Sequence, residues 1–296
     1  MNTEPIKRLK IGEYEVCPIN TGIFGLDGGA MFGTVPKVLW EKSNPADEKN
    51  RIPMEARALL LKSPQRKILI DCGIGQDFVA KYGEKLGSKF AEIYSVKAEG
   101  DSLFKSLKAE GVAPQEITHV ILTHLHFDHC GGGVTEINGE LKPTFSKAKY
   151  YVQKSNLQNA QHPNLREKAS YFSCNFEPLI KAGVLESVDG EKENLLPGIS
   201  VYISNGHTQG HQMVKISSVE ASERKTVLYC GDLIPTASHV RLPWVMGYDL
   251  NPLLLMEEKT RFLSPASDEG WYLFFEHDPY RAFAKVERFG SDFKAI

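Results

Sequence analysis

The segment Thr123-His124-Leu125-His126-Phe127-Asp128-His129 puts three imidazoles and a carboxylate within six residues. Imidazole nitrogen and carboxylate oxygen are the donors that a borderline divalent cation such as zinc takes. An apolar run, Val120-Ile121-Leu122, leads into the segment, and Gly131-Gly132-Gly133 follows it. The run has strand length, so the donors fall in a loop at a strand's carboxyl end. The glycines allow a helix start or a turn to come close. Three further donors stand downstream in the same setting. His207 follows the apolar stretch 200–203, Asp232 follows 226–229, and His277 follows 271–275. Strand ends of one layered sheet can converge on a point. That joins His124, His126, Asp128, His129, His207, Asp232 and His277 into one candidate site. Seven donors exceed one tetrahedral zinc. They suit two ions sharing a carboxylate, because an imidazole nitrogen offers a single lone pair.

The rest of the chain must supply the elements that carry these loops. Alternating apolar residues predict strands at 14–19, 150–152, 184–188 and 213–216. Residues 56–61 and 67–70 read as a hairpin around Ser63-Pro64-Gln65-Arg66. Asp71 closes its second strand, where it either accepts hydrogen bonds from the donor loop or caps a turn. Residues 102–110 predict a short amphipathic helix ended by Gly111, and 252–262 a second helix. Residues 78–94 are polar and helical or irregular. Residues 154–182 read as a mostly helical insertion, whose Tyr171, Phe172 and Phe176 line a pocket or pack in the core. His119 is expected to pack at its strand's start, and His162 to be exposed. The glycine-rich stretch from about 22 to 52 reads as an ordered N-terminal loop, and it lacks the P-loop Lys-Ser/Thr and any dinucleotide fingerprint. Its 24–40 part covers a pocket, docks a second subunit, or packs on its own core.

Composition narrows the partners. With 296 residues and 42% hydrophobic content, the chain can bury one large core, and it is read as a single domain over 1–296. A net charge of −2 gives no electrostatic reason to expect nucleic acid or an anionic membrane. No run approaches the roughly 18 apolar residues that span a bilayer, and the start carries no apolar signal region. Five cysteines, widely spaced and without a C-x-x-C pair, fit reduced thiols in a cytoplasmic protein.

The set T-H-x-H-x-D-H, G-H-T-x-G-H, G-D and a late E-H resembles the metallo-β-lactamase superfamily over nearly the whole chain. The resemblance implies an α/β fold: an αββα sandwich of two mixed β-sheets flanked by helices, with two divalent metal ions, zinc by default, at one edge. It implies that His124, His126 and His207 hold one ion, that Asp128, His129 and His277 hold the other, and that Asp232 bridges. His211, the second histidine of G-H-T-x-G-H, is not usually a ligand there.

The branch follows from what is present and absent. Asp232 stands where true β-lactamases carry another residue, and His126 where diiron flavoproteins carry Glu. Only 19 residues follow His277, too few for the helical domain of glyoxalase II. No long basic arm of the transfer-RNA nucleases is seen. His124-Leu125-His126-Phe127-Asp128-His129, Gly206-His207-Thr208-Gln209-Gly210-His211-Gln212 and Phe274-Phe275-Glu276-His277-Asp278 look like quorum-quenching N-acyl-homoserine lactonases. Asp27-Gly28-Gly29-Ala30-Met31-Phe32-Gly33 and Gly231-Asp232-Leu233-Ile234-Pro235-Thr236 look like the YtnP-like lactonases.

The resemblance thus implies opening of a lactone ring by a metal-activated water, with Asp128 passing a proton to the leaving oxygen. Organophosphate and aryl-ester hydrolysis is the alternative, and a homodimer is expected. Some lactonases place Tyr three residues after the bridging Asp, where this chain has Pro235. His239 either takes over contact with the substrate or packs. Met31, Phe32, Trp40, Trp244, Val245 and Met246 either line an acyl groove or belong to the core.

Overall fold

The computed structural model describes residues 8–96, 102–218 and 225–296. Its backbone groups into two compact units. One takes Glu13–Phe24 and Glu55–Gly190; the other takes the described residues up to Gly12, Gly25–Met54 and Glu191–Ile296. Mixed sheets flanked by helices make it an α/β protein.

The first unit is built on six strands of the larger sheet, in the order Tyr14–Asp27, Arg51–Lys62, Lys67–Ile70, His119–Ile121, Lys149–Gln153 and Leu185–Val188. The two long strands at the start run on into the second unit. The expected hairpin forms, with Leu59 opposite Ile70 and Lys62 opposite Lys67. Beyond it the pairing turns parallel: Ile68 faces His119 and Ile70 faces Ile121. Parallel strands are covered on both faces and so read as unbroken apolar runs. The triplets Ile68-Leu69-Ile70 and Val120-Ile121-Leu122 are fully buried. Helix Ser102–Ala109 presents Leu103 and Leu107, four residues apart, to the same core as Leu69, Val120 and Tyr150. With both faces closed, polar chemistry is left to the strand ends, where Asp71 and Thr123-His124 follow directly.

The second unit holds the six-stranded sheet, ordered Lys192–Leu196, Ile199–Ser204, His211–Ser217, Thr226–Tyr229, Tyr272–Phe274 and Phe283–Ala284. Ser204 pairs with His211, so the loop carrying His207 is a tight connection between neighbouring strands. Thr226–Tyr229 and Tyr272–Phe274 run parallel, with Tyr229 opposite Phe274, and both point the same way into Asp232 and His277. Helix Pro252–Glu269 covers this sheet through Leu255, Phe262, Leu263 and Ala266. It starts on Pro252 with Asn251 as cap and ends at left-handed Gly270. It passes through Pro265 and runs to Glu269, beyond its expected end at Phe262, because packing outweighs one missing N–H.

Two other expectations meet differences. Residues 22–52 are not one loop: the first long strand extends to Asp27, whose side chain accepts from Ala30 N–H and starts helix Gly28–Phe32. The stretch 154–182 is helical only at Lys154–Gln161, Ser173–Asn175 and Glu177–Lys181. No disulfide joins any of the five cysteines.

Candidate functional site

In the first unit the donor loop leaves strand His119–Ile121 and closes as a helical turn, Phe127–Cys130. His124, His126, Asp128 and His129 are all buried. His124 Nε2 faces His126 Nδ1 at 2.9 Å, and Asp128 Oδ1 lies 3.8 Å from His129 Nε2. Asp71 organises them. Its Oδ1 accepts from Thr123 N–H at 2.7 Å, and its Oδ2 accepts from the Thr123 hydroxyl at 2.6 Å. His129 Nδ1 lies 3.1 Å from Oδ2. A carboxylate only accepts, so this contact puts the His129 proton on Nδ1 and the lone pair on Nε2. Asp71 itself sits at φ +56°, in the left-handed region. Its turn is what lets the next residue, Cys72, donate its N–H to His129 O at 2.7 Å.

The turn after the donors is equally fixed. A Cβ at Gly131 would stand 2.1 Å from Ile74 O, so only glycine fits. Lys81 Nζ donates to Gly131 O at 2.6 Å and Val134 O at 3.1 Å, with Asp77 alongside at 3.2 Å. Cys130 is buried, and burial pushes its thiol well above the ordinary range. That removes it as a nucleophile.

In the second unit three loops present His207, Asp232 and His277. Asp232 Oδ2 lies 3.1 Å from His207 Nε2, and Oδ1 lies 3.2 Å from His277 Nε2. The two oxygens of one carboxylate are thus shared between two imidazoles, as a bridging ligand requires. His207 Nδ1 is held by Asp249 Oδ1 at 2.9 Å, and Asp249 Oδ2 accepts from Met246 N–H at 2.7 Å. Burial alone would lower the His207 pKa; Asp232 and Asp249 outweigh it and hold the value at about 10. Two carboxylates around one imidazole favour positive charge at this place, which a cation held at the ring nitrogen facing Asp232 would supply. His211 Nε2 accepts from Asp232 N–H at 3.0 Å, so this histidine sets the loop and does not add a donor.

His239 is engaged by other partners. Its Nδ1 takes the Thr236 hydroxyl at 2.8 Å, its Nε2–H donates to Met31 O at 2.8 Å, and its ring stacks on Phe32 at 4.7 Å. Burial drives its pKa down to about 3, so it is neutral. Met31, Phe32, Trp40, Val245 and Met246 are buried, and Phe32 stacks on Trp40 and meets Trp244 edge-on. This cluster is a small core around His239. His119 stacks on Tyr151 and bonds Thr118, and His162 is exposed.

Residues 53–277 match the family model of the metallo-beta-lactamase superfamily. The chain belongs to that superfamily. Among its relatives, this superfamily member is 28% identical over 223 residues to the N-acyl homoserine lactonase AiiA of Bacillus thuringiensis subsp. kurstaki, covering 74% of this chain and 79% of that one. It superposes on a probable metal-dependent hydrolase from Staphylococcus aureus with a TM-score of 0.85 at 30% identity, over 97% of this chain and 98% of the other. It shares its fold with AidC, a dizinc quorum-quenching lactonase, at a TM-score of 0.75 and 22% identity, over 98% of this chain and 96% of that one.

Within this superfamily member, the residues that sequence reasoning passed over are those that hold the donor loops. Glu258 accepts from the Ser204 hydroxyl and from Asn205 and Gly206 N–H, which seats the loop of His207 on the long helix. A Cβ at Gly206 would lie 2.6 Å from Leu255 Cα in that helix. Next to Glu258, Lys259 is 0% exposed and donates to Arg241 O, Leu242 O and Trp244 O. Burial lowers its pKa to about 7 against the pull of Asp249 and Asp292. A signal existed: Lys259 stands four residues after Leu255 and four before Leu263, inside the apolar stripe of the helix, where an ionisable group is out of place. Asp249 and Asn156, which accepts from Leu125 N–H at 2.9 Å, had no such signal.

Proposed function

We propose that the two donor sets form one dinuclear metal centre that hydrolyses a carboxylic ester, opening the lactone ring of N-acyl-homoserine lactones and so quenching quorum signals. The observation that carries this reading is the division of the Asp232 oxygens between His207 and His277. His124, His126 and His207 would hold one ion, Asp128, His129 and His277 the other, with Asp232 shared. Zinc suits imidazole and carboxylate donors. Two such ions supply an activated water and a polarised carbonyl.

The protein's own groups do the rest. Asp71 and Asp249 fix the tautomers of His129 and His207, so the donor nitrogens face the centre without reorganisation. Asp128 would carry the proton given up by the attacking water to the oxygen that leaves when the ring opens. Phe127, placed between two donors, packs with Phe90 at 4.8 Å and Tyr94 at 5.1 Å, while Tyr82 stacks on Phe172 at 4.2 Å. This aromatic wall suits an acyl chain better than the packed cluster around Phe32. His239, with both nitrogens committed, acts on the reaction by holding the Gly28–Phe32 helix. Val38 is 71% exposed on the helix Lys37–Trp40, which supports a homodimer through that segment.

The test is a substrate panel on one metal-assayed sample: a short- and a long-chain N-acyl-homoserine lactone beside an aryl phosphotriester. Dominant lactone turnover with about two ions per chain supports the reading. Dominant phosphotriester or aryl-ester turnover keeps the centre and reassigns the substrate.

A further inference from the structure

A buried carboxylate outside the seven donors stands behind one of them. Glu167 is 4% exposed, and its Oε2 lies 3.9 Å from His126 Nε2. It belongs to the segment between helix Lys154–Gln161 and the turn Ser173–Asn175, far from the donor loop in sequence. Its position is built. Asn159 Nδ2 donates to Oε2 at 3.1 Å, Asn164 Nδ2 donates to Oε1, and the Tyr171 hydroxyl donates to Oε2 at 3.4 Å. The Tyr171 ring meets the His126 ring edge-on at 4.6 Å. Asn156, which also donates to the Tyr171 hydroxyl, accepts from the backbone of Leu125. The segment therefore grips the donor loop at its backbone and at one imidazole.

The geometry around His126 decides what Glu167 does. Nδ1 faces His124 Nε2, so Nδ1 is the nitrogen turned to a cation. An imidazole that ligates through Nδ1 keeps its proton on Nε2, and that N–H points to the Glu167 side. A gap of 3.9 Å is longer than a hydrogen bond; a small ring rotation or one water closes it. We propose that Glu167 is a positioning residue for His126: its carboxylate accepts from His126 Nε2–H when Nδ1 binds the cation, so the 154–176 segment sets how tightly that cation is held. This rests on the metal-centre reading above. A carboxylate in this position orients the ring and raises its donor strength.

The experiment is zinc titration of metal-stripped protein against a chromophoric chelator, for the wild type, Glu167→Gln and Glu167→Leu. The cobalt-substituted absorption spectrum and the melting of the stripped proteins are recorded alongside. Gln keeps an acceptor oxygen without the charge; Leu keeps neither. Expected zinc affinity falls in the order wild type, Gln, Leu, with a loss of roughly 10–100-fold at the far end, and the cobalt bands shift with it. The stripped wild type and Glu167→Gln should melt together. If Glu167→Leu does not fold, the Gln variant carries the comparison. Wild-type zinc affinity and an unshifted cobalt spectrum in Glu167→Gln overturn the proposal, as does a loss confined to the melting of the stripped protein. A wild-type chain that takes up no zinc overturns this inference and the metal centre together, whereas a zinc-loaded wild type with indifferent variants overturns the inference alone.

Discussion

Asp249 Oδ1 lies 2.9 Å from His207 Nδ1, and this contact decides which nitrogen of the ring is turned to Asp232. Asp249→Ala removes the partner and frees the ring to rotate. Zinc affinity should fall roughly 10–100-fold, read by chelator competition, while circular dichroism stays that of the wild type. Unchanged affinity would mean that packing alone orients His207.

Asp232→Asn should separate the shared carboxylate from a structural one. An amide nitrogen cannot ligate, so one of the two contacts to His207 and His277 is lost. Metal analysis should give fewer than two ions per chain, with ester hydrolysis abolished and the fold kept. His126→Ala should do the same from the other donor set. Wild-type turnover in either variant would sink the dinuclear reading.

Gly206→Ala probes the seat of the His207 loop. The new methyl group would meet helix backbone at Leu255 and not a flexible side chain. Forced overpacking of this kind costs about 1–3 kcal/mol. The denaturation midpoint should drop, and hydrolysis should drop with it because the helix and the donor loop cannot both keep their places.

Lys259 should give a pH signature. Its folded pKa is near 7, while an unfolded lysine titrates at about 10.4. Between these values the unfolded chain binds more protons at this site, so stability from Lys259 rises with pH across that window and is flat below it. Urea denaturation of the wild type and Lys259→Met between pH 7 and 10 should show the wild type gaining on the variant as pH rises. Parallel curves would mean that the lysine is not held near neutrality.

Much of this was legible in the sequence because each donor sits directly after an apolar run whose length is that of a strand. Val120-Ile121-Leu122 locates His124, and Thr226–Tyr229 locates Asp232, with no long-range information needed. Asp71 was legible as a carboxylate at a strand end. The partners of His126 and His207 were not. Glu167 lies in a stretch with no period, and Asp249 in the turns before a helix, so only the folded backbone brings them to a ring. The hairpin Val134–Ile137 and Glu140–Pro143 is marked in the sequence by its Asn138-Gly139 turn. The aromatic residues of the Phe32 cluster were ambiguous for a different reason: a groove and a core use the same side chains.

The left-handed backbone at Asp71 narrows the evolutionary vocabulary of that position. It must tolerate a conformation that most side chains resist, and it must also present two oxygens to Thr123 and His129. Asn meets the first demand and half of the second, Gly meets only the first, and Glu keeps the charge but not the backbone. A neutral path of single substitutions away from aspartate therefore has no good first step, and the residue is locked by two demands that almost no other amino acid satisfies together.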